Sequence, residues 1–257
     1  MDAASAGVLL LCRAGCDVIR PSVSLLREPF LLASAGRGWS VLVPDLQPWP
    51  SGAEPVDRVL SGWATALAVA TNHPVLALWW DADRAGFALA TGFRRPVGYV
   101  WLADGTPAGE DEAIHTFAAR LGLDPVQDLR ALEGLTRLAP DTDARARLLG
   151  LTAVLSRAGL TLPEGVAPGA EPGGVRTAAR DAAEREEAER GKGRGHTVHA
   201  LRHRPPGSGI PAVVQIAAGF PLTVWGLARR SAGWTVAGAV LLAHGALAPA
   251  RDRRPAR

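Results

Sequence analysis

Residues 75–102 read VLALWWDADRAGFALATGFRRPVGYVWL. Three β-prone apolar runs (75–80, 86–90 and 97–102) are separated only by 81–85 and 91–96, too short for the crossover that parallel strands need. The stretch therefore predicts an antiparallel meander, and with it an α+β fold rather than a doubly wound α/β sheet.

Upstream, GVLLLC (7–12) fits one more buried strand, and FLLASAGRGWSVLVP (30–44) places two β-prone arms around Gly36-Arg37-Gly38 as a hairpin. Between these and the meander, Val56, Val59, Leu60, Trp63 and Leu67 recur at helical spacing, with Pro55 in the first turn and Pro74 beyond the end. Downstream the pattern is helical. Ile114, Phe117, Ala118 and Leu121 share one face behind the acidic start Glu110-Asp111-Glu112 and before Gly122. Val126, Leu129 and Leu132 follow Asp124-Pro125, and a third helix begins near Asp141 and runs through Leu148, Leu151 and Leu155 to Gly159. The expected folded domain, residues 1–162, thus has an antiparallel sheet of five or six strands and three or four helices.

The remainder reads differently. Residues 163–209 form a Pro/Gly-rich and charged linker in which 175–195 is an exposed helix without a large apolar stripe, supported by Asp181–Arg185 and Glu186–Arg190 pairs and broken by Gly191, Gly193 and Gly195. Residues 210–250 form an apolar hairpin and 251–257 a basic tail. The charge-free stretches, 24 residues from Pro205 to Ala228 and 20 from Ser231 to Ala250, are long enough to cross about 30 Å of hydrocarbon. Trp225 and Trp234 bracket the Arg229-Arg230 turn, while Arg202, Arg204, Arg251, Arg253, Arg254 and Arg257 flank the outer ends. Six outer arginines against two in the turn put both ends on the cytoplasmic side of the cell membrane as a multi-pass anchor. Pro221, His244 and the Ala/Gly content favour the competing reading, a buried hairpin of a soluble core; pairs such as Gly219/Thr223 and Ala239/Ala243 favour close helix packing in lipid.

Charge divides along the same line. Residues 1–165 carry 14 arginines and 18 acids, a balance of −4, whereas 166–257 carry 14 basic residues and 7 acids, a balance of +7. The basicity lies in the tail rather than on the folded part, so nucleic acid is not an expected partner; the lipid bilayer and a protein of unknown identity are. Lys192 is the single lysine, and the Arg, Ala, Gly and Pro usage reads as the coding bias of a GC-rich bacterial genome. The start, MDAASAGVLLLCRAG, lacks a basic segment before its short apolar run, so the first domain is expected to stay in the cytosol. Cys12 and Cys16 are expected as two unpaired thiols in a reducing compartment.

Candidate chemistry is sparse. Asp81 and Asp83 can share a cation or act as acid and base with Arg84 holding an anion, and Glu110 is a further acid, but Asp-Ala-Asp-Arg between strands is also ordinary turn chemistry, the preferred reading. His196, His199 and His203 stand at metal-ligand spacing, yet in a glycine-broken segment where a loose juxtamembrane role is preferred. Residues 34–40 lack the phosphate-cradling arrangement of a nucleotide loop. No cofactor is expected. The leading expectation is a membrane-anchored protein with a non-enzymatic interaction or regulatory domain; the alternative is a membrane-associated enzyme built around Asp81 and Asp83.

Overall fold

A computed structural model of the chain describes residues 6–26, 28–46, 55–139 and 141–197. The fold is α+β. Its strands are β1 (Gly7–Cys12), β2 (Phe30–Ser34), β3 (Ser40–Pro44), β4 (Val75–Trp80), β5 (Arg84–Ala90) and β6 (Val97–Leu102). They form one sheet in the order β2-β3-β1-β4-β5-β6, antiparallel throughout. The meander is thus present as read, with β5 starting two residues earlier. The hairpin β2–β3 attaches through β1, which sits between β3 and β4.

Helices cover both faces. On one side lie α1 (Cys16–Val23) and α2 (Val56–Thr71). Ile19, Leu60, Ala64, Leu67 and Ala68 meet Val8, Leu10, Leu42, Val75, Ala77 and Trp79 there. On the other side lie α3 (Asp111–Leu121), α4 (Gln127–Gly134), α5 (Ala144–Arg157) and α6 (Pro172–Thr197). Double coverage explains why β1 and β4 are buried at every residue and read as unbroken apolar runs rather than alternating ones. Residues 1–165 hold five α-helices rather than three or four, because α1 has Pro21 in its last turn and only Cys16 and Ile19 buried, too little for a periodic signal.

Tryptophans hold the second layer down. Trp39 Nε1 donates to the Ala158 carbonyl at 3.1 Å, Trp80 to Ala170 at 2.8 Å and Trp101 to Leu135 at 2.8 Å. Each indole buries its ring in the core and spends its one donor on a loop carbonyl at a helix terminus, satisfying both groups without water. Adjacent Trp79 and Trp80 point to opposite faces, and each lies over its register partner, Gly86 or Gly7. A Cβ at Gly86 would stand 2.7 Å from Cζ2 of Trp79, and one at Gly7 would run into the Trp80 ring.

The helix expected as a solvated spacer is present, but one face of it is buried while the other stays exposed. Val175, Ala179 and Ala182 of α6 belong to the core, and Val166 before it is buried as well. Their spacing is helical, but alanines are too small to register as an apolar stripe; burying them needs only a close approach of the helix. The helix also continues through Gly191, Gly193 and Gly195 to Thr197. Arg180 pairs with Asp45 after β3, and the Glu186 carboxylate accepts from the Ser34 backbone N–H on β2 at 2.6 Å. Replacing Val175 with Asp should therefore release α6, because it forfeits apolar burial and forces a carboxyl into the core, a cost of about 3 kcal/mol or more. Trypsin should spare Arg180 and Arg185 in the parent chain and cut there in V175D; equal cutting in both would show that the helix is not docked.

Among the described residues no helix is long and apolar enough to cross a membrane. The hairpin of 210–250 lies outside the described residues.

Candidate functional site

The β4–β5 connection, singled out for its acids, is a turn in which the carboxylate of Asp81 is already used. Its Oδ1 accepts from the backbone N–H groups of Asp83 and Arg84, both at 2.9 Å, and the Asp81 N–H donates to the Arg84 carbonyl at 2.9 Å. Arg84 lies 3.9 Å from Asp81 Oδ2 and stacks 5.1 Å above the Trp79 ring. The three residues do converge, as side-chain-closed turns do. Glu110 lies elsewhere, beside Glu112, Arg95 and Arg120 in an open depression next to α3. Among the described residues no three His, Cys, Asp or Glu side chains group to hold a metal ion. The side chain of His196 and all of His199 and His203 lie outside the described residues.

The cysteines are free and buried. The Cys16 thiol donates to Glu186 Oε2 at 3.5 Å, while Glu186 Oε1 accepts from Arg190 at 2.7 Å and Arg190 reaches Asp17 at 3.8 Å. This node ties α6 to α1. Burial pushes both thiols up to about 12 from 9.0, and the neighbouring Glu186 carboxylate adds to the effect at Cys16. The folded chain thus holds these protons more tightly than the unfolded chain. Their contribution to stability is complete below about pH 9 and is lost as pH rises toward 12. Urea midpoints should accordingly fall between pH 9 and 11. At pH 8 iodoacetamide should leave both thiols unmodified in the native state, since the thiolate is the reactive form. Rapid native alkylation would contradict the burial.

A different place gathers polar groups from distant parts of the chain. At the end of the sheet where β1 and β5 finish and β4 begins, Asn72, His73 and Pro74 meet Thr91, Gly92 and Arg94 of the β5–β6 turn and Ala119 and Arg120 of α3 around an open cavity of about 370 Å³. None of these lining residues is acidic. Thr91 Oγ1 is buried and has no hydrogen-bond partner. Arg120 donates to the Arg95 carbonyl at 2.7 Å and so fixes the turn against α3. Beside it Arg13 lies 6.0 Å over the Trp39 ring, donates its backbone N–H to the Pro74 carbonyl and caps α3 through the Leu121 carbonyl. At the tip of the turn Phe93 is 91% exposed. A depression lined by guanidinium, imidazole, amide and hydroxyl groups suits an anionic oxygen, and the Thr91 hydroxyl is not hydrogen-bonded to the His73 imidazole.

Sequence reasoning passed over this cluster. His73 stood alone and 91–96 served only as a strand connection. The available signal was TGFRRP itself, since a phenylalanine in a hairpin turn between an N-terminal glycine and two arginines has no core to enter. No protein-family model matches the chain, and no curated protein or solved structure matches it significantly.

Proposed function

We propose that this is a membrane-anchored protein whose folded unit serves as a non-enzymatic interaction or regulatory module on the cytoplasmic side. The observation that carries the reading is the pair of charge-free segments, 205–228 and 231–250, with six arginines outside and two in the intervening turn. The commitment of Asp81 to its own turn supports the non-enzymatic reading over an enzyme using Asp81 and Asp83.

Cell fractionation tests the anchor. The full chain should pellet with membranes and resist a carbonate wash, and a chain ending at Arg204 should not. Ser231→Cys should label from outside the cell, whereas Ala256→Cys should not. A full chain that stays in the high-speed supernatant would overturn the proposal, and labelling at position 256 alone would invert the topology.

A further inference from the structure

We infer that the end of the folded unit bearing Phe93, Arg94, Arg95 and Arg120 is a lipid-facing surface that rests on anionic phospholipid headgroups; this rests on the membrane anchor proposed above. Two independent observations meet at this end.

The first is its chemistry. Phe93 projects from the turn, 91% exposed, with Arg94 and Arg95 directly after it and Arg120 and His73 behind. An isolated aromatic among guanidinium groups matches an interface where the ring enters the headgroup boundary and the cations meet phosphate oxygens. The opposite end of the sheet has the other sign along its loops, with Asp45, Asp81, Asp83 and Asp104. Acids also stand at this end: Glu110 and Glu112 lie beside Arg95 and Arg120 in the adjoining depression and lower the local field there, while Asp17, Glu186 and Glu187, by the β2 edge, are paired with Arg190 and Arg20.

The second is the path of the chain. Helix α6 passes Asp45, at the acidic end of the sheet, through Arg180, and then Ser34 and Cys16, at the basic end, through Glu186. It therefore leaves the folded unit at the basic end. Only residues 198–204, with Arg202 and Arg204, separate the last helical residue from the first charge-free stretch. Seven residues span at most about 25 Å even when extended. A tether so short supplies an effective concentration in the millimolar range, so contacts too weak for free binding become populated. Each arginine near an anionic surface favours contact about fivefold. The cytoplasmic leaflet, where the arginine bias puts this unit, is the anionic one.

The test uses the full chain reconstituted in phosphatidylcholine vesicles with and without phosphatidylglycerol, carrying an environment-sensitive fluorophore on a single introduced cysteine. The buried native thiols do not compete. Nitroxide-labelled lipid should quench the probe at Phe93→Cys when phosphatidylglycerol is present. It should not quench the probe at Ala82→Cys, on the opposite hairpin tip. With Arg94→Glu and Arg95→Glu added, quenching at 93 should drop to the level seen at 82. A probe at Ala239→Cys reports the anchor separately. Quenching at 239 with none at 93 would overturn the lipid-facing surface and leave the anchor standing. If 239 escapes quenching the anchor fails, and the result at 93 then decides the surface by itself.

Discussion

Arg147→Ala lowers the unfolding free energy by about 3–5 kcal/mol, the range for stripping a buried, hydrogen-bonded charged side chain from a core. Arg147 is only 1% exposed. Its guanidinium donates to the carbonyls of Gly134 at 3.0 Å and Arg137 at 2.6 Å, at and just beyond the C-terminal end of α4. The negative end of a helix dipole and two carbonyls thus take the place of a carboxylate partner. Alanine leaves both carbonyls without donors and opens a cavity under α4 and α5. Methionine restores most of the volume and removes the cost of burying a charge, so Arg147→Met should lose less than Arg147→Ala. In a unit of this size the alanine variant should melt about 10 °C or more below the parent, followed by tryptophan fluorescence. A loss of 1 kcal/mol or less would show that the carbonyls find other donors.

Gly105→Ala should cost about 3 kcal/mol or more, through backbone rather than side-chain crowding. The residue has φ +80°, and a Cβ there would overlap the carbonyl of Thr142. Neither group can rotate away. The surrounding turn is held by Gly105 N–H to Leu102 at 2.7 Å and Leu102 N–H to Thr106 at 2.9 Å, and the Ala103 carbonyl accepts from Ala144, the first residue of α5. Displacing it therefore separates β6 from the start of α5. Gly38→Ala provides the comparison: its φ is +71°, but nothing lies within 4 Å of the added carbon. It should lose only the conformational share, about 1–2 kcal/mol. Equal losses at the two sites, measured by denaturant unfolding, would remove the steric argument.

Much of the architecture was legible from local pattern. The runs 7–12, 75–80 and 97–102 are strands within those bounds; for the first two, a sheet covered on both faces leaves no polar side to blur an apolar run, whereas 97–102 is an edge strand that buries Tyr99 and Trp101 on one face. The helices α2, α3 and α5 follow from apolar spacing and terminal signals, although the cap of α5 is Asp143, whose carboxylate accepts from the Ala146 N–H at 2.7 Å, two residues after the expected start near Asp141. The Asp81 turn was also legible, since its hydrogen bonds span two and three residues.

Other features joined residues far apart in the chain and left no local trace. The placing of β1 between β3 and β4 depends on pairings such as Leu10 with Leu42 and with Ala77, which any apolar strand could have made. Docking of α6 rests on Val175, Ala179 and Ala182, at the correct spacing but too small to be read as a core-facing stripe. The basic end draws on Arg13, His73, Arg94 and Arg120, individually ordinary surface residues until the sheet ends bring them together. By itself, then, the sequence determined the antiparallel α+β class, the strand positions, the helices other than α1 and the turn chemistry, all set by interactions within a few residues. Only the tertiary structure decided strand order, the fate of α6 and the assembly of a cationic surface. Those depend on which distant surfaces exclude water together, and burial is blind to separation along the chain.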